Sequence, residues 1–118
     1  MNPRSLLAAL AALSGLAGVG FAAIASHVAG GDTVMTGAVM QLVHATAAIM
    51  AARLFPARSG MLASLAFVMG SLAFAAGVYS KGLLGIGLGI VAPAGGLLLM
   101  LGWLLLALAA IASGKDTT

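Results

Sequence analysis

Four long apolar runs leave this chain little choice of solvent. Leu6 to Ala25, Val39 to Leu54, Met61 to Tyr79 and Ile90 to Ala112 contain no Asp, Glu or Lys, and Arg53 and His44 are the only Arg and His within them. In hydrocarbon the backbone must satisfy its own hydrogen bonds, so runs of this kind cross a bilayer as helices. With 63% hydrophobic and 6% charged residues over 118 positions, the chain lacks the polar surface that keeps a compact domain in water. The expected fold is all-α: a single transmembrane domain over residues 1–118, an integral membrane four-helix bundle. Its helices are expected near 5–27, 33–54, 60–80 and 90–113, with a Gly-rich connection over 82–96.

Charge sets the threading. The net charge of +3 comes from basic residues scattered at segment ends, not gathered into a nucleic-acid patch, so no nucleic-acid partner is expected. If all four segments cross, Arg4, Arg53, Arg58 and Lys115 fall on one side and Lys81 on the other. The positive-inside rule then puts both termini and the central loop in the cytoplasm. Leaving the weaker second segment outside the membrane would group Arg4 with Lys81 and erase that asymmetry. Arg4, an apolar stretch and Ala23-Ile24-Ala25 before Ser26 mimic a secretory signal. The stretch exceeds the usual apolar region of about 7 to 15 residues, so it reads as a first spanning helix. Without cysteine there is no disulfide framework and no thiolate chemistry.

Local signals mark the breaks. Gly30-Gly31-Asp32-Thr33 interrupts the first run, and Asp32 or Thr33 is a candidate N-cap for the second helix. Pro56 stops that helix, and Tyr79-Ser80-Lys81 suits a membrane interface at the end of the third. Gly82, Gly85, Gly87, Gly89, Pro93, Gly95 and Gly96 then suggest a tight connection or a short re-entrant turn, with Pro93, Gly95 and Gly96 inside it. Gly87 to Ala92 matches a loose dinucleotide fingerprint but lacks the strand, the βαβ unit and the acidic residue that the fingerprint requires. Small residues that let helix backbones approach recur at helical spacing: Ala8, Ala11, Gly15 and Gly18 in the first helix, where Ser14 and Gly18 also make a small-xxx-small pair, and Ala66 with Gly70 and Ala73 with Gly77 in the third. Packing within one monomer explains them, and so does a homo-oligomer or partner contact.

Chemistry would have to come from His27, Gln41, His44, Ser71, Tyr79, Lys81 and Asp32. Gln41 and His44 share a helix face at i, i+3. With four crossings, His27, Gln41, His44 and Tyr79 fall toward the same half of the membrane and form a candidate intramembrane polar cluster. A polar side chain in hydrocarbon is costly without a partner, so the plain reading is a set of clamps between helices. Proton or ion handling is the sharper one. Two histidines also raise haem ligation, but His27 at a helix end and His44 within the next helix sit at uneven depths. A zinc site would want a third protein ligand beside the two histidines, and Asp32 is the only nearby carboxylate. The dispersed methionines read as packing residues. No cofactor, no metal and no catalytic residue is therefore expected.

Phe21 to His27, Gln41-x-x-His44-Ala45, Phe74 to Tyr79, and Pro93-x-Gly95-Gly96 followed by Gly102-Trp103-Leu104-Leu105 resemble the bacterial inner-membrane proteins grouped as domain of unknown function 423, also called uncharacterised protein family 0382. Eukaryotic transmembrane protein 256 is similar. The resemblance covers almost the whole chain in order and spacing, through short apolar motifs. It implies a small helical membrane bundle in the bacterial inner membrane and carries no assigned activity. The chain departs from the family pattern at Phe74-Ala75-Ala76-Gly77-Val78-Tyr79, where serines are usual, and at Ala92, where a threonine precedes the proline. Those changes weaken any reading in which hydroxyl groups there form a reaction centre.

Without a nucleophile, base and orienter set, the chain reads as a non-catalytic membrane component rather than an enzyme. Its expected partners are the lipid bilayer and either a larger membrane complex, as an accessory subunit, or further copies of itself. The alternative is a small-solute or proton pathway formed in an oligomer and lined by His27, Gln41, His44 and Tyr79.

Overall fold

The computed structural model describes residues 1–115, which form four helices and no strand: α1 (Pro3–Ala25), α2 (Gly31–Leu54), α3 (Arg58–Leu84) and α4 (Val91–Lys115). All four are long and apolar enough to cross a membrane. At 1.5 Å per residue they span roughly 35 to 40 Å, against a hydrocarbon core of about 30 Å. Short links make successive helices antiparallel within an envelope of 54 × 24 × 23 Å. This is the architecture of a multi-pass membrane protein.

The helix ends follow local chemistry. Asn2 caps α1, its Oδ1 accepting the Ser5 N–H at 2.8 Å, and Pro3 opens the helix where a missing N–H costs nothing. Neither Asp32 nor Thr33 caps α2. The helix begins earlier, behind Gly30, and Asp32 sits in its first turn, where a carboxylate favours the helix dipole. The early start depends on glycine: a Cβ on Gly31 would collide with the Ala25 carbonyl, and one on Gly30 with the Gly82 carbonyl. The α1–α2 turn therefore rests on the end of α3.

The expected connection over 82–96 is shorter than the glycines suggest. α3 runs to Leu84 and closes on Gly85, whose φ of 68° is left-handed. The Gly85 N–H bonds the Lys81 carbonyl, and the Ile86 N–H bonds the Ser80 carbonyl. α4 starts at Val91, so the link is the exposed stretch 85–90, with no chain left to re-enter the bundle. Pro93, Gly95 and Gly96 are helical, contrary to their expected place in a connection. Proline is tolerated in a first turn because those N–H groups have no intrahelical partner.

α2 and α3 form the centre. Half of each central span is buried (50%), against 22% for α1 and 28% for α4. α1 packs along α2 and touches α3, while α4 packs along α3. The core is built mostly from alanine: Ala11, Ala48, Ala51 and Ala63 are fully buried around Phe67, with Leu99 and Leu106 from α4. Large side chains point outward instead, among them Leu13, Leu16, Leu97 and Leu104, as expected where lipid replaces water.

Small residues allow this inversion. A Cβ on Gly95 would lie 2.5 Å from the Phe74 nitrogen, and one on Gly77 would lie 2.7 Å from the Ala92 Cβ. The α3 and α4 backbones are thus in near contact along Gly70, Gly77 and Gly95. On the other side Gly18 fits against Leu42 and the Ala38 carbonyl, while Gly15 makes ordinary contact with Ala45. Ala11, Gly18, Gly70 and Gly77 are therefore engaged inside one chain.

Candidate functional site

Two polar nodes tie the helices together at mid-bundle. The first joins α1, α2 and α3. Gln41 is 3% exposed; its Oε1 accepts the Tyr79 hydroxyl at 2.6 Å and its Nε2 donates to Ser14 Oγ at 3.1 Å. The position of the Tyr79 ring is set by two neighbours. It stacks on Phe21 with centroids 3.8 Å apart, and it lies over Gly37, where a Cβ would come 2.7 Å from Cε1. Gly37 is one helical turn before Gln41, so the tyrosine slides over the glycine and its hydroxyl reaches the amide below.

The second node joins α2, α3 and α4. Trp103 Nε1–H donates to His44 Nε2 at 3.1 Å, and His44 Nδ1 lies 2.7 Å from the Met40 carbonyl. A carbonyl only accepts, so Nδ1 carries the proton. An indole N–H only donates, so Nε2 must be bare. Both contacts together require one tautomer of the neutral imidazole. Phe67, fully buried, meets Trp103 edge-on at 5.0 Å between centroids, and Gly102 makes room for it.

The expected cluster is therefore split. Gln41 and Tyr79 meet directly; His44 belongs to the other node, with α4 as its partner; His27 is exposed in the turn after α1 and joins neither. Ser71 donates to the Val68 carbonyl of its own helix and Lys81 is exposed. Every buried side-chain nitrogen and oxygen among the described residues has a hydrogen-bond partner. Among those residues no three His, Cys, Asp or Glu gather as metal ligands.

A third polar device lies at the end of the bundle where α1 begins. Arg4 NH1 donates to the carbonyls of Ala52 (3.0 Å) and Phe55 (2.7 Å), and NH2 to those of Pro56 (2.8 Å) and Ala57 (2.9 Å). The C-terminus of α2 leaves its last carbonyls without intrahelical donors, and Pro56 cannot continue the helix. One guanidinium gives a donor to Ala52 in the last turn of α2 and to three carbonyls of the link that follows, of which Ala57 also accepts the Gly60 N–H, and adds a positive charge at the negative end of the dipole. Beside it Arg53 donates to Ser5 Oγ at 3.2 Å, and deeper in the bundle Ser64 donates to the Ala48 carbonyl at 2.8 Å.

The sequence marks Ser14 as a small residue, Arg4 as a charge at a segment end, and Trp103 as part of the Gly102-Trp103-Leu104-Leu105 motif, none of them with a hydrogen-bond partner. Signals for two of the contacts exist. Trp103 is the single indole and lies, like His44, about midway along its helix, so antiparallel threading places the pair at one depth. Gly37 four residues before Gln41 marks where a ring can lie. The Arg4 clamp leaves no comparable trace, because its acceptors are backbone atoms. No family model, no curated protein and no solved structure matches this chain.

Proposed function

We propose that this chain is a non-catalytic, multi-pass protein of the bacterial inner membrane, acting as an accessory or structural subunit of a larger membrane assembly, with both termini in the cytoplasm. The observation that carries the reading is the closed polar network. Gln41, Tyr79, Ser14, His44 and Trp103 spend their hydrogen bonds on one another and on the backbone, which is how helix clamps behave. The resemblance to domain of unknown function 423 supports the same reading. Among the residues that carry it, Gln41, His44, Tyr79, Gly95, Gly102 and Trp103 are ones through which the helices touch. The orientation rests on Arg4, Arg53 and Arg58 lying at one end and Lys81 at the other.

A proton or small-solute pathway would instead need its groups in series, and would break a helix contact at every transfer. Liposomes carrying the purified protein and a trapped pH dye separate the two. An accessory subunit passes no protons beyond protein-free liposomes under an imposed gradient; flux that disappears in a folded Gln41→Leu variant would refute the clamp reading. Reporter tags at Met1 and Thr118 test the threading, with both expected in the cytoplasm. Mild-detergent purification from native membranes is expected to return a stoichiometric complex; a lone bundle in its micelle would rule out the subunit role.

A further inference from the structure

The node built on Gln41 is closed atom by atom but not proton by proton. Ser14, Gln41 and Tyr79 carry four polar protons, two of them on the Gln41 amide, and make two hydrogen bonds, from Tyr79 to Gln41 and from Gln41 to Ser14. The second Gln41 N–H and the Ser14 O–H are left over, and among the described residues neither has an acceptor. Thr36 and Thr46 return their hydroxyl protons to carbonyls of their own helix, as Ser14 does not. Ser14 is 5% exposed and Gln41 3%, so in hydrocarbon neither donor has solvent to turn to.

Both side chains line one groove. It lies between α1 and α3, has a volume of about 300 Å³, and is rimmed by Leu13 and Ala17 of α1 and by Met69 and Leu72 of α3, with the buried Ser14 and Gln41 at its floor. Ser14 is the middle residue of α1, so the floor is about 17 Å from either end of that helix, at the depth of the bilayer midplane. A second groove, between α3 and α4, is larger at about 450 Å³, yet only apolar residues line it, among them Leu65, Ala66, Leu98 and Leu101. The smaller groove alone combines apolar walls with unspent donors.

We propose that the α1–α3 groove binds an apolar quinone, one ring carbonyl taking the Ser14 and Gln41 protons and the tail running out into lipid. The occupant must bring an acceptor, must need no acceptor in return, and must carry its polar atom at the midplane. Depth rules out a phospholipid, whose ester carbonyls sit at the edge of the hydrocarbon core, about 15 Å from its centre. A quinone carbonyl has two lone pairs for the two donors, and the molecule has no charge to desolvate. The volume takes the ring and the start of the tail, at the small end of ligand sites, which run from about 300 to 1,000 Å³. Because only unspent protons are used, the bond between Tyr79 and Gln41 stays in place when the site fills. The inference goes beyond the proposed subunit role and holds for a lone bundle equally well.

The test is native mass spectrometry of the full chain in a neutral detergent, titrated with decylubiquinone or with dodecylbenzene, an apolar molecule of similar length that has no acceptor. Decylubiquinone is expected to be retained about tenfold better, the size of two hydrogen bonds in a membrane. Ser14→Ala should cut that preference about threefold and leave the retention of dodecylbenzene unchanged, a split that a general loosening of the bundle would not give. Ala17→Phe, which fills the groove, should abolish the preference, while Leu98→Phe, in the larger groove, should leave it intact; Ser14→Ala decides the matter if Ala17→Phe does not fold. Equal retention of the two compounds, a preference untouched by Ser14→Ala, its loss in Leu98→Phe, or displacement of the quinone by equimolar dioleoyl phosphatidylcholine would each overturn the proposal.

Discussion

The bond between Tyr79 and Gln41 makes a prediction with an unusual sign. Replacing Gln41 by Leu removes two interhelical hydrogen bonds, to Tyr79 and to Ser14. In bilayers such bonds average about 0.6 kcal/mol each, because the unfolded chain in the membrane also finds partners. The groups left behind cost more. Tyr79 is 9% exposed, and its hydroxyl, stranded next to a leucine, costs about 1 to 3 kcal/mol, whereas Ser14 can turn to its own helix backbone. Gln41→Leu should therefore destabilise by about 2 to 4 kcal/mol. Tyr79→Phe loses one bond, strands the Gln41 oxygen and keeps the stack on Phe21, for about 1.5 to 3.5 kcal/mol. The double variant removes both partners together, which is nearly neutral for that pair, and leaves the Ser14 bond as the main loss, about 1 kcal/mol. Adding Tyr79→Phe to Gln41→Leu should thus recover stability. Reversible unfolding in mixed micelles, followed by the lone tryptophan, measures all four corners of the cycle. If the double variant costs the sum of the two singles, the groups do not interact and the first node is not a clamp.

Arg4→Met should lower stability by about 2 to 3 kcal/mol, since part of what the four carbonyls lose is regained from interfacial water, and Arg4→Lys should restore less than half because an ammonium cannot fork across them; thermal unfolding of the detergent-solubilised protein reads both. Gly95→Ala should cost about 1 to 3 kcal/mol by driving α4 off the α3 backbone, whereas Gly96→Ala, with open space at its Cβ, should be neutral or stabilising by up to about 1 kcal/mol in the same unfolding measurement. His44→Leu should shift the emission of Trp103 to the blue through loss of the acceptor on its N–H, while Thr46→Ala, which removes a hydroxyl bonded within its own helix, should leave the spectrum unchanged.

What could be read from the sequence follows from the solvent. Hydrocarbon imposes one demand on every residue of a crossing, so apolar runs announced four helices even though their ends moved by several residues. The site was less legible because pairing between helices has no period. Gln41 and Tyr79 stood out as polar groups in apolar runs, and the cost of burying them implied partners without naming them. His27 was drawn into the cluster by counting loops, but a residue beyond the last turn of α1 lies at the bundle end and is exposed. Pro93 and the glycines around it misled for a different reason. Their usual meaning is a turn, yet Pro93 occupies the one part of a helix that needs no N–H, and Gly95 is there to admit another backbone.

The two nodes also account for how a row of helices holds without closing into a ring. α1 enters only the node built on Gln41, and α4 only the one built on His44, while α2 and α3 take part in both. Lipid gives no hydrophobic reward for covering a leucine, so an outer helix stays attached through close backbone approach and buried polar contacts. α4 has much of the first, along Gly70, Gly77 and Gly95, with a single tryptophan bond. α1 relies more on the second, through Ser14 and the four bonds of Arg4, and is the less buried of the two. Loss of the polar contacts should therefore release α1 before α4. A cysteine placed at Ala11, now fully buried, should become reactive toward lipid-soluble thiol reagents in both Arg4→Met and Gln41→Leu, while one at the exposed Leu13 should react in every background. Reactivity at Ala109, equally buried on α4, should stay low in the same variants; if it rises together with Ala11, the bundle opens as one unit and the division between the two nodes is wrong.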